Sequence, residues 1–208
     1  MSDCRLPTMC NLYSMTWNSL MADPALHVPR ISAKEYLEME RDATCRHEFI
    51  DGVVYMMAGA SRQHNTISLD IRGLLRGRLA RPCQPFALDV KVLVQTATTE
   101  RYFYPDVLVT CSDLDNDADI TKQPVLIIEV VSESTKDFDR GDKFVAYRLL
   151  PSFQEYLLVQ QDRPEIELFR KRTGWQPEMF SMGREITLES VQLKLPVAAF
   201  YQDANFVS

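Results

Sequence analysis

Two apolar runs, each interrupted by a single carboxylate, constrain the fold of this chain more than any other feature. The first is YFYPDVLVT, residues 102–110, and carries Asp106; the second is PVLIIEVVS, residues 124–132, and carries Glu129. Short, nearly continuous hydrophobic runs of this kind read as central strands covered on both faces. A carboxylate buried in such a strand without a partner is strongly unfavourable. The two acids lie 23 residues apart and are joined by the polar loop SDLDNDADITKQ, so they can occupy adjacent strands and share a divalent cation. Lys143 follows on a helical stretch directly after the second strand. Two strand-borne acids and one lysine suit metal-dependent phosphodiester hydrolysis, which needs an activated water and stabilised charge on the phosphoryl oxygens.

The 208 residues are 46% hydrophobic and 25% charged, enough for one sizeable core. No apolar run approaches the roughly 18 residues that cross a bilayer. The start, MSDCRLPTMC, lacks a basic n-region and an apolar h-region, so a cytoplasmic location with no membrane association is expected. Five cysteines (Cys4, Cys10, Cys45, Cys83, Cys111) form an odd set with no close CxxC pair, and free thiols are the expected state. A net charge of −6 weighs against a surface devoted to nucleic acid, because such binding rests on phosphate neutralisation. Arg72 and Arg76, four apart on an expected helix with Arg78 and Arg81 just beyond, leave room for a local basic face.

Residues 1–29 show little periodicity and contain Pro7, Pro24 and Pro29, which predicts a loosely packed N-terminal extension ahead of a single domain over 30–208. Ser32 followed by Glu35 is a capping box that opens a helix over AKEYLEMER. Asp51-Gly52 between HEFI and VVYMMAG is a hairpin signal, since both residues tolerate positive φ. Ile67, Ile71, Leu74, Leu75 and Leu79 form the apolar stripe of a helix from about Arg62 to Leu79. FALDVKVLV, residues 86–94, alternates as one half-buried strand with Asp89 and Lys91 on its polar face. A helix from Lys136 to Leu150 is stopped by Pro151, and EYLLVQ and EIELFRK form a further hairpin. EITL reads as a late strand. The class is α/β, with a mixed sheet.

Magnesium binds through one or two protein carboxylates plus waters and substrate phosphate. Asp106 and Glu129 meet that minimum, and the Val130 carbonyl offers a further oxygen. Asp139 lies four residues before Lys143, the favourable order for a helical ion pair, and Tyr147 extends the same face.

The stretches HEFIDGVVYMMAGAS, His64-Asn65, YPDVLVTC, IIEVVSEST, DRGDKFVAYR and LPSFQEYLLV occur in this order between about residues 32 and 201. Together they resemble the PD-(D/E)XK nuclease signature and, more specifically, the Uma-type family of bacterial "putative restriction endonucleases". The resemblance implies a restriction-endonuclease-like fold, a central mixed sheet flanked by helices, with Mg²⁺ or Mn²⁺ at Asp106 and Glu129. Val131 stands where the general signature has lysine; the family carries that lysine on the next helix, here as Lys143. In related nucleases an acid from the first helical or hairpin region completes the site, and Glu48 holds that place. His64 also matches the family pattern, without an assigned role.

These readings make the chain a metal-dependent endonuclease acting on DNA, with RNA as the other candidate polymer, and a homodimer where both strands are cut. The alternative is a catalytically inactive nucleic-acid- or protein-binding module that keeps the nuclease fold, motivated by Val131 and the net negative charge. A third reading is a hydrolase of small phosphodiesters.

Overall fold

A computed structural model describes residues 14–15, 30–57, 59–112, 119–133 and 135–206, the first pair by their backbone. The contacts divide the chain into two compact units, one of Met1–Gly59 with Leu93–Phe103, the other of Ala60–Val92 with Tyr104–Ser208. The expected extension, residues 1–29, lies outside the described residues except for Ser14–Met15. Elements are numbered in chain order.

In the first unit, β1 (Ser14–Met15) pairs in parallel with β3 (Val53–Met56), which forms a hairpin with β2 (His47–Ile50). The turn is the predicted one. Asp51 and Gly52 take φ of 50° and 100°, and Ile50 faces Val53 directly. Helix α1 (Ala33–Arg41) starts at the predicted capping box: Ser32 Oγ accepts from the Glu35 N–H, and the Glu35 carboxylate accepts from the Ser32 N–H at 2.8 Å. Tyr36, Phe49 and Tyr102 form its aromatic core, with Tyr36 stacked on Phe49 at 5.1 Å between centroids.

The second unit holds α2 (Arg62–Arg76), capped by Ser61, and a six-stranded mixed sheet. Its strands are β4 (Gln84–Ala87), β7 (Val107–Thr110), β9 (Pro124–Val131), β10 (Glu155–Gln160), β11 (Glu165–Arg170) and β12 (Pro177–Ser181), in the order β12-β11-β10-β9-β7-β4. The central β9 runs parallel to β10 and antiparallel to β7. Alternation assigns its two faces. Leu126, Ile128 and Val130 join Val107, Val109, Leu157 and Val159 in a core with the α2 stripe of Ile67, Ile71, Leu74 and Leu75. Ile127, Glu129 and Val131 point the other way.

That second face is covered by the helical connection from β9 to β10. It consists of α3 (Lys136–Phe138), a π turn (Asp139–Lys143) and α4 (Phe144–Tyr147). Phe144 stacks on Tyr156 and leans on Phe169, both at 4.8 Å between centroids. The expected EITL strand is β13 (Glu185–Leu188), paired with β14 (Leu193–Pro196). Among the described residues no helix is long and apolar enough to cross a membrane.

Two expected strands are broken. FALDVKVLV splits into β4 and β5 (Lys91–Gln95), because Leu88 turns to a φ of 71° and the Asp89 N–H donates back to Ala87 at 2.9 Å. The resulting three-residue turn needs no glycine and leaves no alternation signal. Asp89 is exposed at that turn while Lys91 is buried, so the two do not share a polar strand face. YFYPDVLVT splits into β6 (Glu100–Phe103) and β7, because Pro105 has no N–H to give a ladder. The remaining strand, β8 (Ile120–Thr121), pairs with Lys91 and Val92. The cysteine expectation is also corrected. The β4–β7 register sets Gln84 against Thr110, and the next residues outward, Cys83 and Cys111, are joined by a disulfide.

Candidate active site

The β7–β9 ladder pairs Val107 with Ile128, and one further step would bring Asp106 opposite Glu129. The side chains take over there. The Asp106 N–H donates to Glu129 Oε2 at 3.0 Å, and the Val130 N–H donates to Asp106 Oδ2 at 2.7 Å. Each carboxylate thus satisfies a backbone donor that the end of the strand pairing leaves, as buried N–H groups require. The N–H and C=O of a strand residue lie on the same side, so the Val130 carbonyl opens towards this place as well.

Glu129 is 2% exposed, so it needs more than one donor. Lys143 supplies the charge, its Nζ 3.0 Å from Glu129 Oε1 and 3.8 Å from Asp139 Oδ1. The ammonium also donates to the Tyr104 carbonyl at 3.4 Å. Tyr147 donates its hydroxyl to Glu129 Oε1 at 3.2 Å. Asp139, Lys143 and Tyr147 lie at four-residue spacing along the helical connection, and all three are buried. The π turn that carries the first two is a local widening of the kind found at functional sites. Within it, the Asp139 carbonyl accepts the hydroxyl of Tyr156 from β10 at 2.9 Å. On the other side of the acid pair, His64 in the first turn of α2 places Nε2 3.1 Å from Asp106 Oδ2.

Electrostatics follow from this packing. Burial pushes the Glu129 carboxyl well above the usual range; Lys143 pulls it down, while Asp106 and Asp139 push it further up. For His64, burial lowers the ring's proton affinity most, but the hydrogen bond and charge of Asp106, the charge of Asp139 and the Val130 backbone together outweigh it, and the net shift is upward. Burial and the neighbouring carboxylates hold Tyr156 protonated, which keeps it a donor.

Among the described residues no group of three or more His, Cys, Asp or Glu side chains is arranged to hold a metal ion. The donor set that remains is two carboxylates and one carbonyl. Asp106 Oδ1 receives no protein donor among the described residues, whereas Oδ2 is engaged. Hard oxygens in this number fit a Mg²⁺-type cation that keeps waters or takes substrate phosphate in its other positions.

The sequence-derived residues therefore divide. Asp106, Glu129, Val130, Lys143, Asp139, Tyr147 and His64 come together. Glu48 lies in β2 of the first unit, buried and set against Tyr55. Asp89 stands on the exposed turn, and Lys91 places its Nζ 5.1 Å from the centroid of the Tyr104 ring. Arg72, Arg76, Arg78 and Arg81 are all exposed. Tyr156 is the residue the sequence reading missed; its signal is a tyrosine in a buried strand, whose hydroxyl must find an acceptor. A cavity of about 340 Å³ lies elsewhere, lined by Glu155, Arg170, Arg172 and Ser190. Glu155 there accepts from Arg170, from the Glu189 N–H and from both donors of Ser190, a self-contained network that ties β10 to the segment after β13.

Residues 33–198 match the model of the Uma2 family, described as "Putative restriction endonuclease". Two proteins of Synechocystis sp. (strain ATCC 27184 / PCC 6803 / Kazusa) are similar to the chain. The uncharacterized protein slr1290 is 34% identical over 187 residues, 88% of this chain and 97% of that protein. The uncharacterized protein sll1609 is 38% identical over 145 residues, 68% of this chain and 81% of that protein. A crystal structure from Anabaena variabilis ATCC 29413, of "a putative nuclease belonging to DUF820", shares the fold with a TM-score of 0.64 and 16% identity, over 83% of this chain and 98% of that one.

Proposed function

The chain belongs to the Uma2 family of "putative restriction endonucleases", and on that premise we propose that it is a divalent-cation-dependent endonuclease hydrolysing phosphodiester bonds in DNA. The observation that carries the reading is the opposition of Asp106 and Glu129 across the end of the β7–β9 ladder, with Lys143 Nζ 3.0 Å from Glu129. Asp106, Glu129 and the Val130 carbonyl would hold Mg²⁺ or Mn²⁺, which supplies an activated water and neutralises charge on the phosphoryl oxygens. Lys143 stands in for the lysine that Val131 replaces. Its ammonium orients the attacking water and offsets the charge that develops on the phosphoryl group. Tyr147 and Asp139 hold Glu129 and Lys143 in register, and the surrounding apolar side chains keep bulk water from screening them. Cutting both strands of a duplex takes two such sites, hence a homodimer in the cleaving form. A DNA substrate goes with a cytoplasmic location.

One observation favours a second reading, a non-catalytic binding module. Both oxygens of Glu129 are already engaged by the Asp106 N–H, Tyr147 and Lys143. The test is cleavage of supercoiled DNA, linear DNA and RNA with Mg²⁺, Mn²⁺ or EDTA, by the parent and by Asp106→Ala. Cleavage that needs the cation and is lost in the variant is expected. Cleavage by Asp106→Ala at the parent rate would sink the mechanism, and binding without cleavage would favour the module.

A further inference from the structure

Each carboxylate of the acid pair is met by a basic side chain. Lys143 Nζ stands 3.0 Å from Glu129 Oε1, and His64 Nε2 stands 3.1 Å from Asp106 Oδ2. The mechanism above uses the lysine and gives the histidine no task. His64 is not needed to start its helix, because it is its backbone N–H, at 3.0 Å, that the Ser61 cap engages. Its ring instead meets the oxygen of Asp106 that also accepts the Val130 N–H, beside the Val130 backbone. A cation held by Asp106 and the Val130 carbonyl would need that same rim.

An imidazole N–H and a divalent cation compete for the lone pairs of one carboxylate, and a protonated ring adds charge repulsion. Lys143 serves Glu129 and Asp139, and His64 is the side chain whose ring meets Asp106. We propose that His64 is the placeholder of the cation-free site: its ring occupies the rim where Asp106 Oδ2 meets the Val130 backbone, and it must leave that rim for a divalent cation to be held by Asp106 and the Val130 carbonyl together. This rests on the reading of Asp106 and Glu129 as cation ligands. The His64 side chain is 19% exposed, so rotation of its own torsions carries the ring into water while α2 stays in place. His64 is thus a positioning residue that sets the cation concentration the site requires.

The test is calorimetric titration of the full chain with Mn²⁺, on the parent and on His64→Ala, His64→Gln and Asp106→Asn. Loss of the competing ring should tighten Mn²⁺ binding by about tenfold in His64→Ala, within the usual range of coupling between two ligands of one site. His64→Gln, neutral but still a donor, should fall between that variant and the parent, and it carries the comparison should His64→Ala fail to fold. Ring ¹⁵N spectra add a second readout, since only His27, His47 and His64 contribute. Mg²⁺ should move the His64 signals towards those of a solvated ring and leave those of His47 in place. Mn²⁺ binding that is lost in Asp106→Asn but unchanged or weakened in both His64 variants overturns the displacement and leaves the cation site standing. No Mn²⁺ binding by the parent or by either His64 variant removes the cation site itself, and the displacement with it.

Discussion

Lys143→Met deletes the ammonium while keeping the length of its apolar stem, which isolates the charge at the centre of the site. Removing one member of a buried ion pair costs about 3–5 kcal/mol, because the remaining charge is stranded. Here Glu129 at 3.0 Å and Asp139 at 3.8 Å lose the same cation. Glu129 can relieve the loss by taking up a proton, since burial already raises its proton affinity and Lys143 is the main opposing influence. A carboxyl whose folded pKa lies above its unfolded value carries no penalty below that unfolded value, here 4.5, and a growing one as pH rises to the folded pKa. The slope is at most about 1.36 kcal/mol per pH unit. Lys143→Met should therefore lose about 3 kcal/mol of stability at pH 8 but only about 1 kcal/mol at pH 5. Urea unfolding at the two pH values measures this, with an unchanged m-value expected. Adding Glu129→Gln should restore roughly half or more of the pH 8 loss, the signature of coupled neighbours. Equal losses at both pH values, or no restoration in the double variant, would refute the buried-pair reasoning.

Asp106→Ala should lower stability by about 1–3 kcal/mol besides abolishing cleavage, because it orphans the Val130 N–H; Asp106→Asn keeps an acceptor and should lose less, as denaturant curves of the two will show. The His64 pKa is raised above 6.5, so the stability its contact with Asp106 lends is present below that value and fades as pH rises through the folded pKa. His64→Ala should accordingly flatten the fall of the thermal midpoint between pH 6 and 8. Cys83 and Cys111 close a 28-residue separation, for which chain-entropy arguments give about 3.6 kcal/mol, so Cys83→Ser should lower the thermal midpoint by several degrees relative to the parent under non-reducing conditions.

Features with short-range causes were legible in the sequence. Ser32 with Glu35, Asp51-Gly52, and the Gln161–Pro164 turn between β10 and β11 each encode their geometry within a few residues. The acid pair was legible too, because an apolar run that tolerates Glu129 must supply it with donors. What escaped is non-local. Alternating apolar residues mark the faces of a strand but not where the chain leaves one sheet for another, so the breaks at Leu88 and Pro105 passed unnoticed. A positive φ at leucine has no compositional mark, and a π turn has the same residue content as an α-helix. The Cys83–Cys111 bond depends on the β4–β7 register, which spacing does not reveal. Tyr156 was hidden because its acceptor is a backbone carbonyl 17 residues away.

The most direct measurement is the thermal midpoint of the parent, Asp106→Ala and Glu129→Ala with and without Mg²⁺ or Mn²⁺. At about 100 times its Kd a cation stabilises the folded chain by roughly 2.7 kcal/mol, a shift of several degrees. A rise in the parent that is absent from both variants is expected if the opposed carboxylates hold the cation. A rise of equal size in either variant, or none in the parent with either metal, would contradict it.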